Sequence, residues 1–143
     1  MTLAALERLV GTGKLKKESP QRKELEALIH SGEARLKDAS NESLALESRF
    51  DLAYNAAHSL SLAALRFHGY RSENRYLVFQ TLAHTVGLAP EQWRVLDDAH
   101  RRRNAIEYEG VADVNEQVVA AIIRVAAEVS KRVRAQAGLP ASH

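Results

Sequence analysis

Residues 44–67 read LALESRFDLAYNAAHSLSLAALRF, and the order of large and small residues in this stretch sets the fold. Leu46, Phe50, Ala53, Ala57, Leu60, Ala64 and Phe67 recur at steps of four and three. That spacing lines them up on one side of an α-helix and predicts a seam that packs against other helices. The small residues in the seam allow a close approach. Asp51, Asn55 and His58 fall on another face, near Glu47 and Ser48.

The flanking segments repeat the helical pattern. Leu3, Leu6, Leu9 and Val10 mark a short first helix that Gly11 and Gly13 end. Ser19-Pro20 reads as N-cap and first helical residue of a second, carrying Leu25, Leu28, Ile29 and Leu36, with Gly32 as a soft spot. Asp38 to Ser43 is a polar break. Beyond the long helix, Gly69 is placed to end it, and Ser72 or Asn74 to cap a helix carrying Tyr76, Leu77, Phe79, Leu82, Ala83 and Val86 as far as Gly87. Ala89-Pro90 opens the next helix, which Gly110 closes. Asp113 with Glu116 suggests a capping box ahead of Val118, Ile122, Val125, Val129 and Val133, and Gly138 and Pro140 end that run. No strand pattern, repeat or low-complexity tract stands out. The fold class expected is all-α, an antiparallel bundle of about five to six helices. A single domain spans residues 1–143, with its core over about 20–137 and a loose tail at 138–143.

Composition narrows the function classes. The absence of Cys removes disulfide and thiolate chemistry. The first helix is too polar for a secretory signal and no apolar run reaches the roughly 18 residues of a membrane span, so a cytoplasmic protein without a membrane partner is the expectation. A net charge of +2 does not by itself demand nucleic acid. The cations are unevenly placed, however: Lys14, Lys16, Lys17, Arg22 and Lys23 form one cluster, Arg101 to Arg103 a second, and Lys131, Arg132 and Arg134 a third. The six His show no metal-ligand spacing, and phosphate-binding glycine loops and Ser-His-Asp arrangements are absent, so neither metal nor cofactor is expected.

The ten residues Arg101 to Gly110, RRRNAIEYEG, carry the functional signal. At about 100° per residue, Val95, Leu96, Ala99 and Ile106 share one sector with Trp93. Arg103 falls inside that sector, with His100, Asn104 and Glu107 at its border. Arg94, Arg101 and Arg102 point elsewhere. A guanidinium aimed at a core or a partner subunit needs a reason, because an unpaired buried charge is costly. The plain reading of Arg103 and Glu107 is an intrahelical ion pair of about 0.2–0.5 kcal/mol, and that of Arg101 to Arg103 is a solvated helix end.

A small-residue helix, a short helix, a helix ending in Arg103-Asn104 and Glu107-Tyr108, and a final Val/Ile/Ala helix together resemble the HEPN superfamily over roughly Leu44 to Arg134. The resemblance implies a homodimer that brings two copies of an Arg-polar motif into a basic cleft, acting as a metal-independent endoribonuclease, as an RNA- or nucleotide-binding module, or as the partner of a nucleotidyltransferase or antitoxin in a toxin–antitoxin or defence system. Arg103 and Asn104 match the motif's Arg and the polar residue after it. Position 108, where the motif has His, is Tyr108. Cleaving RNA without a metal needs a base and an acid, for which imidazole is suited and a phenol of pKa near 10 is not.

Three readings follow. The first is a non-cleaving RNA- or nucleotide-binding or protein-interaction module using Arg101, Arg102, Arg103, Asn104 and Tyr108. The second is an endoribonuclease with Arg103, Asn104 and either Tyr108 or His100 as catalytic candidates, His58 being a further substitute. The third is a structural dimerisation domain whose polar stripe only sets register.

Overall fold

A computed structural model describes residues 2–110 and 113–140, apart from the side chains of Thr2 and Leu3. The long seam forms one helix, α3 (Leu46–Phe67), after α1 (Thr2–Gly11), β1 (Lys16–Lys17) and α2 (Arg22–Ala39). Then come β2 (Tyr70–Arg71), α4 (Arg75–Gln80), α5 (Leu82–Thr85), α6 (Pro90–Glu109) and α7 (Glu116–Ala137). The protein is an all-α bundle with one small two-stranded antiparallel ladder.

Phe50, Ala53, Ala57, Leu60 and Ala64 of α3 are buried as their spacing predicts, Leu46 and Phe67 at the ends of the seam are partly buried, and Tyr54, outside the seam, is buried as well. α2 and α7 cover them, and α7 contributes Val119, Ile122, Val125, Ala126, Val129 and Val133. Each large aliphatic side chain removed from water in this way adds about 1.5–3 kcal/mol before entropy is counted. At Gly32 α2 packs close against α3: a Cβ there would meet Leu60 Cγ at 2.6 Å and the Ala56 carbonyl at 3.3 Å. Gly32→Ala is therefore expected to cost about 1–3 kcal/mol through overpacking, outweighing the ~1 kcal/mol gain in helix propensity. A lower urea midpoint would show this, and a raised one would contradict it.

A second apolar cluster, Leu6, Leu15, Leu65, Tyr70 and Val78, fixes the N-terminal segment to the bundle, so the core reaches well before residue 20. Lys16 pairs with Arg71 and Lys17 with Tyr70. No strand was expected, and two residues are too few to show an alternating pattern. Gly69, at φ 90°, turns the chain from α3 into β2, where its carbonyl accepts from Glu18 N–H at 3.0 Å. A side chain at that φ would be strained.

Several element ends differ from expectation. α2 begins at Arg22 with Gln21 as its cap, because the Ser19 carbonyl accepts instead from Arg66 Nη2 at 2.9 Å. The segment between Asn74 and Gly87 divides at Thr81 into two short helices, and Thr81 Oγ1 donates back to the Val78 carbonyl at 2.7 Å. Asn74, of the two candidate caps, accepts from Leu77 N–H at 3.1 Å. α7 is capped by Asn115, whose Oδ1 accepts from Val118 N–H at 2.9 Å, and not by Asp113. Glu116 does not close a capping box but pairs with the buried Arg49 at 2.9 Å. Of the expected tail, Leu139 packs against the core, while residues 141–143 lie outside the described residues.

Candidate functional site

The polar face of α3, the start of α4 and the C-terminal half of α6 meet around one ring, that of the buried Tyr54. Arg75, the first residue of α4, places its guanidinium carbon 5.5 Å from the ring centroid, and Arg103 of α6 places its own at 5.1 Å. Two cations on one aromatic ring are each favoured by its quadrupole, yet they repel one another. The acid beside them is Glu107, which accepts from Arg103 Nη1 at 3.1 Å. Arg75 has no carboxylate partner among the described residues and donates to Asn55 Oδ1 at 2.9 Å. Most of the donors on the two forks are left for another acceptor.

Two histidines complete the cluster. His100 Nδ1 lies 2.9 Å from the Tyr54 hydroxyl, and Asn104 Nδ2 lies 3.3 Å from His100 Nε2. Burial, reinforced by the Arg103 and Arg75 guanidiniums and opposed by Asp97, holds the His100 pKa below its ordinary value. His58 stands edge-on to Phe79, as does His100. Burial first, then the charges of Arg75 and Arg103, push the His58 pKa down to about 4. Its Nε2 is buried with no hydrogen-bond partner among the described residues. Burial likewise raises the Tyr54 hydroxyl, against the pull of the two guanidiniums. At neutral pH the site therefore presents two fixed cations and two uncharged imidazoles.

Exposed rings flank it. Tyr76, 40 % exposed, sits 5.9 Å from the His100 ring, and Tyr108, 79 % exposed, stands one turn beyond Asn104. With Leu44 they are the large hydrophobic side chains exposed among the described residues.

The structure thus brings Arg103, Asn104 and His100 together and adds His58. Arg103 is half-buried, and so is Arg102, whose angular position pointed to water. Arg101 and Arg102 turn to acids instead. Arg101 lies 3.7 Å from Asp98, and Arg102 is held between Asp98 at 2.6 Å and Asp113 at 3.3 Å. Sequence reasoning missed Arg75 and Tyr54. Tyr54 carried a faint signal, one turn before His58 on the face that bears Asn55. Arg75 carried none, because only the placement of α4 against α3 brings it there.

Among the described residues, no group of three or more His, Asp or Glu side chains is placed to hold a metal ion, and no helix is long and apolar enough to cross a membrane. Comparison with protein-family models, with curated proteins and with solved structures finds no match.

Proposed function

We propose that this protein is a HEPN-like module that binds single-stranded RNA without cleaving it, with Arg75 and Arg103 as the phosphate contacts. The observation that carries the reading is the pair of guanidiniums on the Tyr54 ring, with Glu107 the one carboxylate paired to either among the described residues. A phosphate offers both forks a charged, bidentate acceptor and relieves their mutual repulsion. Tyr76 and Tyr108 offer stacking faces to unpaired bases beside it. The chemistry around the pair favours holding over cutting. Metal-free strand cleavage needs a protonated acid as well as a base, and both histidines have pKa values held down by burial and by the two arginines. Asn104 and Tyr54 also occupy both nitrogens of His100. In this proposal two copies of the chain face one another across the Arg103 side, and a nucleotidyltransferase or antitoxin is the protein partner that the resemblance implies.

Fluorescence anisotropy with a mixed-sequence single-stranded RNA, in chelator, tests this. Arg75→Ala and Arg103→Ala are each expected to weaken binding by about tenfold or more, the cost of a hydrogen bond to a charged group, while the RNA stays intact. Metal-free cleavage that disappears in Arg103→Ala would establish the nuclease reading instead. Light scattering on Arg103→Ala and Tyr108→Phe separates the third reading: loss of a dimer with unchanged RNA affinity would make the polar stripe a register device.

A further inference from the structure

A groove on another face of the bundle shares no residue with that cluster. Its walls are α2 and α7, which run antiparallel. Arg22 Nη1 donates to the Ala137 carbonyl at 2.9 Å near one end, and Glu33 receives Arg134 Nη2 and the Ser130 hydroxyl, both at 2.6 Å, further along. The cavity between the walls has a volume of about 710 Å³, within the range of small-molecule sites. From Lys131 to Ile123 it follows α7 for about 12 Å, close to the reach of a medium alkyl tail. Leu36, Ile123 and Leu139 are half-buried in its lining and Ala127 is exposed. The alanine keeps the floor low where a larger side chain would fill it.

The charges in the lining are unbalanced. Glu33 is clamped by Arg134 and Ser130. Lys37 on the α2 wall and Lys131 on the α7 wall are exposed, and neither has a carboxylate partner among the described residues. An apolar trough with an ammonium group on each bank is complementary to a molecule that has one apolar tail and one anionic end. An alkylammonium amphiphile would meet like charge there.

We infer that the α2–α7 groove binds a single-chain amphiphilic carboxylate, its carboxylate between Lys37 and Lys131 and its tail running from there along Leu36, Ala127 and Ile123. The test is titration of the full chain with dodecanoate below its micellar concentration, followed by calorimetry and by methyl NMR, with dodecyltrimethylammonium as comparator. Dodecanoate is expected to saturate one site and to shift the Leu36 and Ile123 methyls. The double substitution Lys37→Glu, Lys131→Glu should weaken it by about tenfold or more, and Ala127→Trp, at an exposed position, should abolish it without lowering the unfolding temperature. Arg103→Ala should leave it unchanged. No saturable binding, equal binding of the cationic amphiphile, or retained binding in Ala127→Trp would overturn the inference. So would sedimentation showing that Ala127→Trp dissolves a pair of chains, since the groove would then be filled by a second copy.

Discussion

Arg66→Ala is expected to lose about 3 kcal/mol of stability, toward the lower end of what breaking a buried charged network costs. The Arg66 side chain is 2 % exposed at the C-terminal end of α3. Its Nε donates to Glu24 at 2.8 Å, its Nη1 to the Glu18 carbonyl at 2.8 Å and to the Tyr70 carbonyl at 3.3 Å, and its Nη2 to the Ser19 carbonyl at 2.9 Å. Truncation takes the donor from all three carbonyls, of which that of Tyr70 is buried, and opens a cavity where the guanidinium lay. The carboxylates matter less. Glu18 is half exposed and rehydrates, while Glu24 keeps Arg71. Arg66→Lys is expected to recover little, because a single ammonium cannot serve acceptors on several sides at once. Urea unfolding followed by circular dichroism gives the magnitude. Hydrogen exchange at Tyr70 and Arg71 should accelerate first, because Arg66 fastens the chain on both sides of that ladder. A midpoint equal to that of the unsubstituted protein would contradict this account.

The second large effect is a dependence on pH that originates in the candidate site. The folded pKa of His58 is depressed to about 4, whereas an unfolded His titrates near 6.5. As pH falls below 6.5 the unfolded chain takes up the proton first, so stability is complete above that value and declines through the window from 6.5 to 4. The loss reaches roughly 3 kcal/mol at pH 4. His100, depressed in the same sense, adds to it. Glu7 and Glu24 are lowered by their hydrogen bonds and ion pairs, and their contributions fade only below the ordinary carboxylate pKa. Urea midpoints at pH 7.5, 5.5 and 4.0 should therefore fall more steeply for the unsubstituted protein than for His58→Gln. Identical slopes would contradict the burial of His58 as a neutral ring. The same charges couple the histidine to the proposed ligand. A phosphate that neutralises Arg75 and Arg103 removes two of the causes of the depression, so the His58 pKa should rise when RNA binds.

Much of this was readable in the sequence, and what was not has physical reasons. The seam of α3 and the Val/Ile stripe of α7 announced themselves through periodicity, because apolar burial repeats with the helix. Angular position did not separate Arg103 from its neighbour: Arg103 shares the sector of the buried Leu96 and Ala99, yet its side chain is 30 % exposed and that of Arg102, placed toward water by the same reading, is 26 % exposed. The most deeply buried guanidiniums, on Arg49 and Arg66, were not foreseen. Arg66 faces acceptors supplied by Glu18, Ser19 and Glu24, and Arg49 faces the Ala39 carbonyl and Glu116. Partners so far apart along the chain leave no local spacing to read. The choice between Asp113 and Asn115 as cap was likewise decided at a distance, because Arg102 takes Asp113. Arg75 is the main omission at the candidate site, and it became visible only once α4 lay against α3.

The claim that two guanidiniums grip RNA phosphates is tested most directly by the salt dependence of binding. Affinity for a single-stranded oligoribonucleotide, measured over a range of salt concentrations, should fall linearly on logarithmic axes, and the slope should be shallower by about 1.4 in the Arg75→Ala, Arg103→Ala double variant, about 0.7 for each phosphate contact removed. A slope that is the same with and without these two side chains would place the phosphates elsewhere and contradict the account.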